Sequence, residues 1–162
     1  MGHSLGASVA TVLLDQPPSP RDDVRCDGLV FENGFASIPD MVRALYPSRW
    51  VPYHYLGRCA LDRWDARAVF ERRAGRIGHV PVLFVASDDD ELVPPAMMRG
   101  LYEAALNSRR MGGEMDGMQR GVTWVGVKGG LHDFAWKKEV WGKSVVQFVK
   151  NIADQQKQKE QS

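Results

Sequence analysis

An α/β fold built on a parallel sheet is the class this sequence predicts, and three observations predict it. Short apolar runs at 29–31 (L-V-F), 80–86 (V-P-V-L-F-V-A) and 122–127 (V-T-W-V-G-V) read as strands, the first two buried on both faces. Segments with helical spacing separate them. The resulting order of helix, strand, helix, strand, helix, strand, helix needs crossover connections, which parallel strands use.

The first six residues organise the rest. They read M-G-H-S-L-G, a G-x-S-x-G pattern running into Ala7, Ser8, Val9 and Ala10. That pattern marks a nucleophile elbow, a sharp strand-to-helix turn that raises a serine hydroxyl above a sheet. Gly2 and Gly6 supply the small flanks such a turn requires, and the helix start behind Ser4 offers N–H groups to a developing oxyanion. Alone the match is weak. It gains weight only if an acid and a histidine follow in that order.

Residues 5–14 are apolar on nearly all sides, as in a buried helix, and three prolines within 15–20 stop it. A strand over 27–32 ends at Asn33-Gly34, and a short helix over 39–45 has Ser37 as its N-cap. From 46 to 76 the pattern loosens: Trp50, Tyr53, Tyr55 and Trp64 either roof a pocket or pack a long connection onto the body, and 65–74 reads as a charged helix. The strand at 80–86 runs into Ser87-Asp88-Asp89-Asp90. Pro94 and Pro95 then open a helix to about residue 106, with Met97, Met98, Leu101 and Ala105 as core filling. Residues 107–121 read as a surface loop. After the strand at 122–127 comes Lys128-Gly129-Gly130-Leu131-His132-Asp133, and a last helix over 134–153. One domain over 1–154 and a polar, disordered tail over 155–162 are expected.

Composition narrows the function classes. The 162 residues carry a formal charge of +1, which gives no electrostatic reason to expect nucleic acid or a membrane surface as partner. Cys26 and Cys59 have no metal or redox spacing and read as buried thiols in a reducing compartment. No signal peptide and no apolar run near the ~20 residues of a membrane span is present, so the chain as written reads as soluble. No cofactor and no metal site is expected.

A serine becomes a nucleophile when a base takes its proton and an acid orients that base. The chain offers Ser4, then Asp88, Asp89 and Asp90, then His132, in the order serine, acid, histidine. Asp90 is preferred as the acid because Leu92, Val93 and Pro94 anchor the chain just after it; Asp88 and Asp89 then lie in an exposed turn. His132 follows a strand through Gly129-Gly130, whereas His3 sits in the elbow, pointing away from the nucleophile, His54 in the loose aromatic segment and His79 ahead of a strand. Asp133 reads as the N-cap of the last helix. One oxyanion donor is the backbone of Leu5, and the loop that would supply the second has no counterpart in the chain.

Three stretches, G-H-S-L-G-A-S, F-E-N-G-F-A-S-I-P-D-M and L-F-V-A-S-D-D-D-E-L-V-P-P-A-M-M-R-G-L-Y, resemble the eukaryotic bud-emergence (BEM-type) α/β-hydrolases over residues 2–152. The resemblance implies the C-terminal half of an α/β-hydrolase fold, a parallel sheet flanked by helices with the N-terminal strands absent. It implies a serine hydrolase with Ser4, Asp90 and His132 as its triad and a small acyl-containing substrate, of the esterase, thioesterase or lipase kind. Acyl transfer to an alcohol uses the same residues. Members often carry an N-terminal membrane anchor, so membrane association is expected only if such an anchor is restored. Only Met1 precedes Gly2, so the 162 residues are expected to be a truncated domain, inactive and insoluble or molten by themselves. The competing expectation is a non-catalytic fragment or pseudoenzyme half-domain, with a binding role or none.

Overall fold

Gly2–His3 (β1) is the strand that leads into the elbow, and it is only two residues long. It opens a four-stranded parallel sheet of order β1-β2-β3-β4, with β2 at Leu29–Glu32, β3 at Val82–Ser87 and β4 at Val122–Val127. The computed structural model describes residues 1–17, 26–72, 75–110 and 121–161. The far end of the proline stop, residues 73–74 of the charged helix and 111–120 of the expected surface loop lie outside these.

Alternation along the strands decides which helix covers which face. Leu29, Phe31, Val82, Phe84, Ala86 and Val122 point to one side. There they pack with Ala7 of α1 (Leu5–Asp15), Val69 and Phe70 of α4 (Ala66–Glu71) and Met98, Leu101 and Ala105 of α5 (Pro95–Arg110). Val30, Leu83, Val85 and Val127 point to the other side and meet Phe148 of α6 (Glu139–Glu160). Both faces of β2 and β3 are therefore buried, which is why their sequences are continuously apolar. Phe31 and Phe84 are fully buried, each worth about 1.5–3 kcal/mol of transfer free energy.

Between β2 and β3 lie two short helices, α2 (Ile38–Leu45) and α3 (Tyr53–Leu56), and then α4. Ser37 caps α2, its hydroxyl accepting the Asp40 amide at 3.2 Å. The aromatic segment does not pack down as a unit: Trp50 is 96% exposed, and Tyr53 and Tyr55 also face outward.

The structure differs from the sequence expectations at several places. α5 continues through Arg110, past the expected end at 106, because Asn107, Ser108, Arg109 and Arg110 contain no helix breaker. The last helix starts at Glu139, five residues later than expected, with Lys138 and not Asp133 at its N-cap. Residues 134–138 wind more tightly, through amide bonds to the third residue back, such as Phe134 to Leu131 and Lys137 to Phe134. α6 then runs to Glu160, taking in most of the stretch expected as a disordered tail, since its Gln, Lys and Glu residues favour helix. Neither cysteine is buried: Cys59 is exposed and Cys26 half-buried, its thiol donating to the Gly28 carbonyl at 3.4 Å.

Candidate active site

Ser4 stands between β1 and α1 with φ 51° and ψ −126°, in the half of conformational space that favours glycine. Its amide donates to the Glu32 carbonyl at 2.9 Å and its carbonyl accepts from Ala7 at 3.1 Å, so strand and helix are both locked to the strained residue. The strand approaches the helix closely. A Cβ on Gly2 would come within 2.5 Å of the Ala7 Cα, so only glycine fits there. Gly6 is different, because a Cβ on it would meet nothing within 4 Å. Leu5, half exposed, begins α1 directly behind Ser4.

The residue expected as the acid, Asp90, sits just past the C-terminal end of β3. Asp88 and Asp89 are exposed turn residues, while the Asp90 side chain is only 2% exposed. One Asp90 oxygen accepts the amides of Leu92 and Val93, at 2.9 and 2.7 Å. Its other oxygen accepts Nδ1–H of His132 at 2.8 Å. Since the carboxylate takes the proton on Nδ1, Nε2 of the neutral ring is left as the basic nitrogen. Val93 is buried and holds the turn in the core; Leu92 is not.

His132 is 3% exposed, in the turn after β4. Every polar group it has on the backbone is held. Its amide donates to Oε2 of Glu91 at 3.0 Å, and its carbonyl accepts from Nδ2 of Asn33 at 2.8 Å and from Nε2 of His3 at 2.9 Å. The Asp133 carbonyl, which an N-cap would offer to the Lys137 amide, accepts the Trp136 indole N–H at 3.1 Å instead, and the Lys137 amide donates to Phe134. The His3 ring also lies against the His132 ring, centroids 4.9 Å apart and planes at 53°. The structure thus brings Asp90 and His132 together and sets His132 against the residue preceding Ser4. Among the described residues no hydrogen bond joins Ser4 Oγ to His132. His54 and His79 are elsewhere, the first bonded to the Tyr46 carbonyl and the second exposed ahead of β3.

Two further carboxylates frame the site. Burial pushes the Glu32 carboxyl above its ordinary range, opposed by the Trp141 N–H donated to it at 2.8 Å and by the two histidines. Glu91 lies below the ordinary range, chiefly because it accepts the His132 amide. A ligand atom from each of His3, His132 and Asp133 lies within 4.8 Å of the others.

Sequence reasoning gave no part to Asn33, Glu32, Glu91 or His3. A signal did exist for Asn33 and Glu32, which stand in the F-E-N-G stretch. Their meaning depends on which loops meet at the strand ends.

No family model matches the chain. The alpha/beta hydrolase domain-containing protein WAV2 of Arabidopsis thaliana is 27% identical over 98% of this chain and 48% of its own length. Protein bem46 of Schizosaccharomyces pombe is 30% identical over 62% of this chain and 30% of its own length. The chain thus spans half or less of the length of these curated relatives. Among solved structures, one from Mycobacterium tuberculosis described as a non-heme bromoperoxidase, BpoC, superposes with a TM-score of 0.54. It is 12% identical, and the match covers 93% of this chain and 66% of that one, a likeness of fold alone. No described helix is long and apolar enough to cross a membrane.

Proposed function

We propose that this chain, an α/β-hydrolase by its fold and its curated relatives, carries the working residues of a serine hydrolase acting on a small acyl ester or thioester. The observation that carries the reading is the buried 2.8 Å pair of Asp90 and His132, packed against His3, the residue that precedes a serine held at positive φ. Asp90 keeps the proton on Nδ1, so Nε2 of His132 is the nitrogen left to take the Ser4 proton. Ser4 Oγ then bonds to the acyl carbon, and the carbonyl oxygen, now negative, accepts from the Leu5 amide at the start of α1. Collapse breaks the bond to the leaving alcohol or thiol, which departs with the proton from Nε2. Water repeats the sequence on the acyl-serine and frees the acid.

A second reading is a half-domain that keeps the pair without turning over. It is favoured by the Ser4 hydroxyl, which makes no hydrogen bond to His132 among the described residues. A fluorophosphonate probe separates the two. The catalytic reading expects one adduct, located by mass spectrometry on Ser4 and lost in Ser4→Ala. Labelling that survives Ser4→Ala removes Ser4 as nucleophile; a folded parent chain that takes no label supports the half-domain.

A further inference from the structure

The proposed base sits in a turn that is poorly suited to holding anything still. Gly129 adopts φ +63°, Gly130 follows it, and His132 comes two residues later. Yet the His132 ring meets Asp90 at 2.8 Å with almost no exposure. The order must come from outside the turn.

It comes from the end of β2. Asn33 is wholly buried and has φ 42°, a left-handed conformation that asparagine tolerates better than other side-chain-bearing residues. Its amide tip spans two strand ends. Oδ1 accepts the Ser87 amide at 2.8 Å, while Nδ2 donates to Ser87 Oγ at 3.0 Å and to the His132 carbonyl at 2.8 Å. Ser87 in turn donates its hydroxyl to the Leu131 carbonyl at 3.3 Å. The second donor to the His132 carbonyl is Nε2 of His3, which must carry a hydrogen because a carbonyl only accepts. Both lone pairs of that carbonyl are therefore used, one from β2 and one from the residue covalently joined to Ser4.

We propose that Asn33 and His3 are positioning residues for His132: they clamp its carbonyl so that the ring stays bonded to Asp90 and at a fixed height above the elbow. His3 adds a tie between nucleophile and base, since moving the elbow moves the base with it. The inference rests on the reading of His132 as the base.

The test uses the full chain and three variants. Asn33→Asp keeps the size, the tolerance of left-handed backbone and the acceptor for Ser87, but puts an oxygen where the Nδ2 donor was. His3→Ala removes the other donor, and His3→Gln returns an amide N–H near the position of ring Nε2. One readout is the imidazole ¹⁵N spectrum of His132, which reports whether its proton stays on Nδ1; the other is the rate of fluorophosphonate labelling. Asn33→Asp and His3→Ala are expected to turn the Nδ1–H signal into tautomer exchange and to slow labelling ~10-fold or more, with His3→Gln within about threefold of the parent. If Asn33→Asp does not fold, the His3 pair decides. A folded His3→Ala or Asn33→Asp chain with an unchanged His132 spectrum overturns the proposal. A parent that takes no label while the spectra change as expected sinks the catalytic reading and leaves the positioning role standing.

Discussion

Asp90 accepts three hydrogen bonds on a side chain almost wholly out of water, and two of its three donors are amides of its own turn. The turn therefore aims one oxygen at Nδ1 before the histidine arrives. Asp90→Asn presents an amide that can donate to Nδ1 and so favours the wrong tautomer. We expect the rate of Ser4 labelling to fall by roughly 10⁴-fold with little change in the melt; a loss under tenfold would show that the carboxylate does not orient the ring. Glu32 makes a different prediction. Its carboxyl is raised by burial from an ordinary 4.5, so the folded chain binds that proton more tightly than the unfolded chain does. The stability this contributes is fully present below the unfolded value and is lost as pH rises through the folded one. Glu32→Gln keeps an acceptor for the Trp141 N–H and removes the charge. Its Tm should exceed the parent's at pH 7.5, by a margin that shrinks to nothing near pH 4; a margin independent of pH would rule out burial of the carboxyl as the cause.

At the level of elements, the elbow depends unequally on its two glycines. A Cβ on Gly2 would strike backbone of α1, at 2.5 Å from Ala7 Cα and 2.6 Å from the Gly6 carbonyl oxygen, and backbone cannot swing aside. Gly2→Ala should cost about 1–3 kcal/mol, as other overpacking changes do. For a chain of this size that lowers Tm by about 2–4 °C per kcal/mol. Gly6→Ala meets open space in the first turn of α1, and alanine is the better helix former by up to ~1 kcal/mol. Its Tm should be unchanged or higher. Thermal melts of the two variants side by side check the contrast, and equal losses would mean that the strand–helix approach is not what limits the elbow.

Over the whole molecule, the sheet buries both faces of β2 and β3 while, among the described residues, nothing pairs with the outer edge of β1. Leu5 and Leu13 of α1, the helix that follows β1 and packs on it, are exposed at 44% and 58%. Unpaired edge backbone next to apolar side chains favours association. The 162-residue chain should sediment as a concentration-dependent mixture, and Leu13→Lys should shift it toward monomer without lowering Tm. A parent that stays monomeric at all concentrations would mean this surface is harmless. Trp50, at 96% exposure, packs against almost nothing in this structure, so Trp50→Ala should alter stability by no more than ~0.5 kcal/mol.

The sequence by itself determined the parallel α/β class, the strand cores of β2, β3 and β4, the Ser37 cap and the strained serine at position 4, because each is written in local spacing: apolar runs, a cap three residues ahead of its amide, glycines around a serine. That Asp90, and not Asp88 or Asp89, is the buried carboxylate of that loop was legible for the same reason, since the buried Val93 that anchors its turn is three residues away. What only the tertiary structure decided is which distant residues share an atom. Asn33, 99 positions from His132, and His3, 129 positions away, converge on one carbonyl. The start of α6 at Glu139 is likewise a matter of contacts, since the Asp133 carbonyl accepts the Trp136 indole N–H and not the Lys137 amide. No periodicity encodes such a meeting. It arises because parallel strands bring all their C-terminal ends to one edge, where a buried carbonyl must find donors and takes them from whichever strand end lies nearest.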